Sequence, residues 1–246
     1  MKIIFSPSKE MRDNEILSLS SSSVYFKEKN QKILKKLQNF SKEEIAEIMK
    51  IKGKLLEKTF ENIKKFDSLE AISAFSLYNG VSFKNLELEN YNKESIEYAN
   101  NNLLILSAFY GVLHPSNSVR KYRLDMTMKL ASSSLYSFWN NEITDYIINL
   151  LHDDSDKILI NLASEEYSKM IERKKFPYRI IDIDFKENKN GKFQSVSSFA
   201  KQGRRSMLNY LIKNKITDIE KIKKFSESRY LFNDELSDKD KFIFTR

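Results

Sequence analysis

Apolar positions recur along the chain with two spacings, and the switches between them mark out short strands and amphipathic helices. Ile3-Ile4-Phe5 is a compact apolar run closed by Ser6-Pro7-Ser8-Lys9, which predicts a strand ending in a turn. Ile33, Leu34, Leu37 and Phe40 share one helical face. Ser41-Lys42-Glu43-Glu44 has the form of a capping box and opens a helix through Ile45, Ile48 and Met49. Gly53 interrupts that pattern, and Leu55, Leu56, Thr59, Phe60 and Ile63 resume it. Asn92 to Ser95 starts a further helix, running into the apolar stretch Leu103-Leu104-Ile105-Leu106, which reads as buried strand.

Residues 135–151 form a long amphipathic helix pattern carrying the only tryptophan, Trp139. Residues 157–162 read as strand, with a helix beginning near Ser164. Segments 179–185 and 192–199 flank Asn190-Gly191, the strongest hairpin signal in the chain, and place Phe199 at a strand end with its ring in the core. A helix bearing Arg204 and Arg205 follows, then a second capping box at Thr217-Asp218-Ile219-Glu220 and a last strand over 241–245. The serine-rich stretch 18–23 reads as the most flexible part. Strands and helices intermix without repeat, linker or low-complexity tract, so the pattern predicts one α+β domain over residues 1–246, with strand order left open.

Composition narrows the chemistry. With no cysteine in 246 residues, disulfides, thiolate nucleophiles and iron–sulfur clusters are excluded. The two histidines, His114 and His152, are isolated in sequence and read as turn and helix-end residues; no metal and no cofactor is expected. No apolar stretch approaches the roughly 18 residues that span a bilayer, and the N-terminal run lacks a signal-peptide h-region. A cytoplasmic, soluble, monomeric protein with no membrane partner is the expectation.

The net charge is +8, from 42 basic and 34 acidic residues, which suggests an anionic partner. Most of the cations are Lys in a chain rich in Asn and Ile, a composition that an AT-rich genome produces by itself, so distribution matters more than the total. Residues 1–66 carry 15 basic and 9 acidic side chains and residues 169–229 carry 17 and 7, whereas residues 67–118 carry 2 and 6. The nine arginines include Arg120 and Arg123, three apart, and the adjacent Arg204 and Arg205. Arginine offers a planar, permanently charged fork suited to phosphate. Crowding such forks costs repulsion unless an anion or a carboxylate such as Asp125 compensates; surface ion pairs are the plain alternative.

Walker, dinucleotide-binding, nucleophile-elbow and zinc-protease motifs are all missing. Asp182 and Asp184 share a strand face, where they either hold a hard cation or simply meet solvent. Glu165 and Glu166 fall in a first helical turn, where the macrodipole accounts for them. The turn Lys52-Gly53-Lys54 between two helices has the outline of a helix–hairpin–helix, whose backbone N–H groups meet a DNA phosphate, or of an ordinary helical hairpin. Tyr110, Arg120, Tyr122 and Arg123 in one segment, and Phe199, Lys201, Arg204 and Arg205 in another, combine phosphate-holding cations with rings able to stack on bases, unless those rings are core.

These segments together resemble the bacterial YaaA family of peroxide-stress proteins over essentially the whole chain. The resemblance rests on Ser6-Pro7-Ser8-Lys9, on residues 106–115 (Leu-Ser-Ala-Phe-Tyr-Gly-Val-Leu-His-Pro) and on Tyr122 to Met126. It continues through Leu135 to Trp139, Ile160 to Ser164 with Glu166-Tyr167, Asn190-Gly191-Lys192, and Phe199-Ala200-Lys201 with Arg204 and Met207. It implies a compact α+β fold with a helix–hairpin–helix and a basic cleft that binds double-stranded DNA. It also implies a role in limiting oxidative DNA damage during peroxide stress, associated with lower free intracellular iron. Lys9, Tyr110, Tyr122, Arg123, Lys201 and Arg204 are the cleft residues by position; Lys52, Gly53, Lys54, Arg120 and Arg205 join them on charge and spacing.

The chain departs from the family pattern at His114, where relatives have Arg, at the shortened segment after Phe75, and at Arg205, which stands at a common Gly. A DNA-binding protein without catalysis is the first expectation. A glycosylase- or lyase-like enzyme using Lys9 or Lys201 with Asp125 is the second, and a carboxylate iron-binding protein through Asp182 and Asp184 is the third.

Overall fold

Three apolar runs from distant parts of the sequence lie side by side and build the centre of the protein: β1 (Lys2–Phe5), β2 (Leu103–Ser107) and, following β3 (Gly111–Leu113) in the chain, β4 (Ile158–Asn161). The structure is a computed structural model and describes residues 1–17, 19, 21–84, 86, 88–130 and 133–246. β1 runs parallel to β2 on one edge, with Ile3, Ile4 and Phe5 opposite Leu103, Leu104 and Ile105. Its other edge runs parallel to β4, Ile3 facing Ile160. Strands covered on both faces read as continuous apolar runs instead of alternating ones, which is the pattern of these three segments.

Beyond β4 come β5 (Arg179–Lys189), with its hairpin partner β6 (Lys192–Gln194), and β7 (Leu231–Phe232), which pairs antiparallel with β8 (Lys241–Thr245). The sheet order is β7-β8-β5-β4-β1-β2-β3, with β6 attached to β5. The four pairings from β2 to β8 through the middle are parallel and the outer ones antiparallel. Strands and helices mix in one architecture, as the pattern predicts; the parallel centre depends on segments far apart in the chain.

Among the described residues six longer helices accompany this sheet: α1 (Lys27–Asn39), α2 (Lys42–Met49), α3 (Gly53–Lys64), α4 (Lys93–Asn102), α5 (Leu135–His152) and α6 (Ser197–Lys213). The Ser41 capping box forms in full, Ser41 Oγ accepting from the Glu44 N–H and Glu44 accepting from the Ser41 N–H. α2 ends with Lys50 in the left-handed region (φ 51°), and α3 begins with Gly53, also at positive φ (59°). The two helices therefore form a hairpin through Lys50-Ile51-Lys52. Asn92 caps α4 and Ser134 caps α5 through their side-chain oxygens. Trp139 on α5 is fully buried, edge-on to Phe26 and Phe138, and donates to the Ala108 carbonyl at 2.9 Å.

Several sequence expectations are corrected. The strand expected over 192–199 ends at Gln194, and Phe199 lies in the first turn of α6, 38% exposed under the Arg246 guanidinium instead of in the core. The chain reverses there because α6 must lie back across β5. The helix near Ser164 is a single turn, Glu165–Ser168. The cap near residue 217 is Asp218, which accepts from Glu220 N–H. Of the serine stretch, residues 18 and 20 lie outside the described residues, while Ser22 is tied by backbone and side-chain bonds to Ser116 and Ser118. Asp182 and Asp184 hold cations already present in the chain: Asp182 binds Arg173 through two bonds and accepts from Asn161, and Asp184 lies 4.0 Å from the Lys241 ammonium.

Gly203 allows α6 to approach the sheet, because a Cβ there would sit 2.5 Å from the Phe185 ring. Gly203→Ala should destabilise the protein by about 1–3 kcal/mol through overpacking, read as a lower midpoint in urea unfolding. His114 supplies a second expectation. Its ring lies between the Asn100 carbonyl and the Tyr146 hydroxyl, and burial depresses its pKa below 6.5. The unfolded chain then binds a proton that the folded one refuses, so stability should fall as pH drops below about 6.5. Thermal melts between pH 7.5 and 5.5 should show that slope, and His114→Gln should flatten it.

Candidate functional site

Strand order creates a crevice. The chain leaves β1 toward β2 on one side and later returns as β4 on the other, so the loops following β1 and β4 depart in opposite directions. In open, largely parallel sheets ligands bind at the carboxyl ends of such a strand pair. Here those ends carry Ser6-Pro7-Ser8-Lys9 after β1 and residues 162–167 after β4. The two loops are stapled together: Ser6 Oγ accepts from the Ser164 N–H at 2.7 Å and donates to Ser164 Oγ at 3.1 Å.

Between them lies a cavity of about 280 Å³, walled by Lys9, Gly80, Ser82, Glu166, Lys201 and Arg204 among others. A larger cavity of about 480 Å³ lies on the far side of Lys9, against the α1–α3 face, and includes Leu55, Lys58, Lys121, Tyr122 and Arg123. A neck of about 10 Å³ beside Lys9, Arg123, Asp125 and Tyr167 separates them. Lys9 lines all three spaces, which adjoin at this residue; the three together are the groove, and the smallest is its waist.

The charges in this groove are unevenly paired. Lys9 Nζ lies 2.6 Å from Asp125, a carboxylate only 6% exposed. Lys121 and Lys58 share the exposed Asp13, Lys121 in close contact and Lys58 at 3.9 Å. Asp125, expected to offset Arg123, pairs with Lys9 instead. The Nε atoms of Arg123 and Arg204 are buried and have no hydrogen-bond partner among the described residues. Burial lowers the Arg204 pKa, countered only in part by the Asp184 charge. A buried guanidinium without a carboxylate on its fork carries a desolvation cost that an incoming anion offsets.

The sequence-derived residues separate into groups. Lys9, Tyr122 and Arg123 line the wide part and the waist, and Lys9, Lys201 and Arg204 line the narrow part. Lys201 and Arg204 reach the same space because they lie three residues apart on α6. Arg205 turns away and donates to the Val81 carbonyl at 3.1 Å, holding one wall from outside. Tyr110 does not reach the groove: it is 4% exposed, and its hydroxyl donates to the Arg120 carbonyl and accepts from the Arg120 N–H. Arg120 bonds the Leu69 carbonyl and lines a separate cavity of about 360 Å³. Lys52, Gly53 and Lys54 are exposed at the α2–α3 hairpin, outside the residues lining the groove.

Tyr122 stacks on Phe109 (5.3 Å between ring centres), and its hydroxyl bonds Tyr78 at 2.9 Å and Ser107 at 2.8 Å. Burial pushes its pKa up to about 12. The ring thus belongs to the groove floor, with its polar end already satisfied.

Glu166 is the residue that sequence reasoning assigned to the macrodipole and the structure places in the groove. Its carboxylate accepts from the Met126 N–H at 3.1 Å. Burial, and then the Asp125 charge, raise its pKa above 4.5, with Lys9 and the backbone bonds opposing. Nothing local distinguishes it from Glu165, which is exposed and paired with Lys169; only the fold does. Among the described residues no group of three or more His, Asp or Glu is placed to hold a metal ion.

The fold is that of a mixed α/β protein, with Arg123 and Arg204 lining cavities beside the loops that follow β1 and β4. Comparison supplies the family: the profile described as Peroxide stress protein YaaA matches residues 1–236, and the chain belongs to that family. It is 47% identical over 249 residues to a UPF0246 protein of Fusobacterium nucleatum, covering 100% of this chain and 99% of that one. It is 37% identical over 254 residues to a UPF0246 protein of Francisella philomiragia, with both chains fully covered. Among the described residues no helix is long and apolar enough to cross a membrane.

An ionised Glu166 opposes any anion in the narrow cavity. Binding of sulfate, whose charge is constant in this range, should strengthen as pH falls toward the raised pKa of Glu166, which lies above 4.5, and that carboxylate takes up a proton. Glu166→Gln should bind sulfate several-fold more tightly at pH 7 and lose most of that pH dependence, measured by titration calorimetry.

Proposed function

We propose that this protein binds double-stranded DNA through its phosphates, along the wide part of the groove and the neighbouring α2–α3 hairpin, as part of the peroxide-stress response of its family. The observation that carries the reading is the Arg123 guanidinium, whose buried Nε has no partner among the described residues, in a cavity shared with Lys9, Lys58 and Lys121. The hairpin adds to it. α3 begins at Gly53 without a side-chain cap on its first N–H groups, beside the exposed Lys52 and Lys54. Such an end attracts phosphate through backbone donors and the helix dipole. The sequence offers no segment with the pattern of a base-reading recognition helix, so binding is largely independent of sequence. Covering DNA in this way would limit oxidative damage linked to intracellular iron.

The alternative of a lyase- or glycosylase-like enzyme has the closeness of Lys9, Asp125 and Glu166 in its favour. Against it, Lys9 is in an ion pair with Asp125, and a paired ammonium anchors a phosphate without attacking carbon. Borohydride trapping on abasic DNA separates the two readings.

Fluorescence anisotropy with unrelated duplexes at several salt concentrations tests the binding reading. Arg123→Ala and Lys54→Ala should each weaken binding by a similar factor on every sequence. Each should also reduce the log–log salt slope by about 0.9 for every phosphate that the variant leaves unneutralised. Unchanged slopes in both variants, or a large preference for one duplex at fixed salt, would refute it.

A further inference from the structure

The narrow part of the groove differs in kind from the wide part. Its volume of about 280 Å³ is at the lower end of the roughly 300–1,000 Å³ of small-molecule sites. A duplex, whose major groove alone is about 12 Å wide, cannot enter it. Its cations come from opposite walls: Lys9 from the loop after β1, and Lys201 and Arg204 from α6. Ser8, Ser82 and Ser164 add hydroxyls to the lining. Lys201 and Arg204 make no salt bridge among the described residues, whereas Lys9 is paired with Asp125 and the carboxylates of Glu10 and Glu166 share the lining. A terminal phosphate, free on one side, fits so small a space where a backbone diester flanked on both sides does not. A phosphate monoester carries about 1.5 to 2 charges near neutrality and three acceptor oxygens.

We infer that the cavity between the β1 and β4 loops is a receptor for a phosphate monoester, presented by the end of an interrupted DNA strand or by a free mononucleotide. This deepens the DNA-binding reading where the source is a strand end, and stands apart from it where the source is a nucleotide. Arg204 supplies the fork, Lys201 and Lys9 supply charge from either side, and the Ser8 hydroxyl closes the floor. The floor is built to a tight tolerance: a Cβ on Gly80 would meet Ser8 Oγ at 2.0 Å and Ser8 Cβ at 3.1 Å. Gly80→Ala therefore forces Ser8 to shift and reshapes the pocket while leaving every charge in place. Glu166 on the same wall, its pKa raised by burial, offers a carboxylic acid proton to a phosphate oxygen at mildly acidic pH.

The experiment compares matched probes on the full-length protein. Anisotropy is measured on one gapped duplex carrying either phosphate or hydroxyl at the gap, on the 5′ side and then on the 3′ side. Calorimetry compares deoxyadenosine monophosphate with deoxyadenosine. The expected result is at least tenfold tighter binding of the phosphate form in one of the two sources. That ratio should fall to about twofold or less in Lys201→Ala, Arg204→Gln and Gly80→Ala. Lys201 is exposed, so its variant should fold even if Arg204→Gln does not, and thermal melts check both. A preference confined to strand ends or to the nucleotide identifies the source. A ratio near one for both sources overturns the inference, as does a ratio that survives both Lys201→Ala and Gly80→Ala. Loss of hydroxyl-ended duplex binding as well would count against the DNA reading, and the nucleotide measurement stands independently of it.

Discussion

Four residues near the start of the chain are hydrogen-bonded along both edges, to β2 about a hundred residues later and to β4 more than 150 residues later. With both neighbours parallel to β1, neither pairing can be made by a tight turn; each requires a long crossover. From that double pairing the chain after β1 continues to β2 on one side and the chain after β4 to β5 on the other, with the two loops tied where they start by Ser6 and Ser164. The pairing thereby opens the crevice and brings Ser6, Lys9, Ser164 and Glu166 to a common rim. Both faces of β1 are covered as well, Ile3, Ile4 and Phe5 all being buried, so this run carries no outward-facing polar position.

The groove that results is electrostatically unfinished. Two of its carboxylates are committed within the protein, Asp125 to Lys9 and Glu166 to the Met126 backbone, while Glu10 is exposed at the edge of both cavities. Arg123 and Arg204 are half-buried, and their buried Nε donors have no hydrogen-bond partner among the described residues. A protein with a spare carboxylate nearby ordinarily closes such a pair, as Asp182 does with Arg173 on the next strand. The contrast within one sheet separates ion pairs that complete the fold from cations that remain available to a ligand. The same contrast disfavours a cation site at Asp182 and Asp184, whose charges are already met by Arg173 and Lys241.

The groove's two parts draw on different elements and differ in size. The wide part faces the α1–α3 helices and an exposed Leu55, and its lysines lie toward the rim, suited to a backbone passing over it. The narrow part lies against α6, whose approach depends on Gly203 above the Phe185 ring. Lys9 stands at the waist, held by Asp125 in a position common to both. A ligand contacting both parts would have to present a compact anion at one end and an extended chain of charge at the other.

Much of the local structure was legible in the sequence because it follows from short-range rules. The Ser41 capping box, the helix start at Asn92, the Asn190-Gly191 hairpin and the apolar strands expected at 2–5, 103–106 and 157–162 all form, the last over Ile158–Asn161. Lys201 and Arg204 could be grouped from helical spacing alone, and the family was readable from the order of its motifs. What the sequence left open was every property that depends on which distant segments meet. Glu165 and Glu166 are chemically identical neighbours, yet one faces solvent and the other a buried carboxylate. Tyr110 and Tyr122 share a segment, yet only Tyr122 lines the groove. Phe199 reads as a strand end but starts a helix, because α6 folds back over β5. In each case the deciding quantity is burial against residues far away in the chain, and periodicity along one segment contains no information about the segment that covers it.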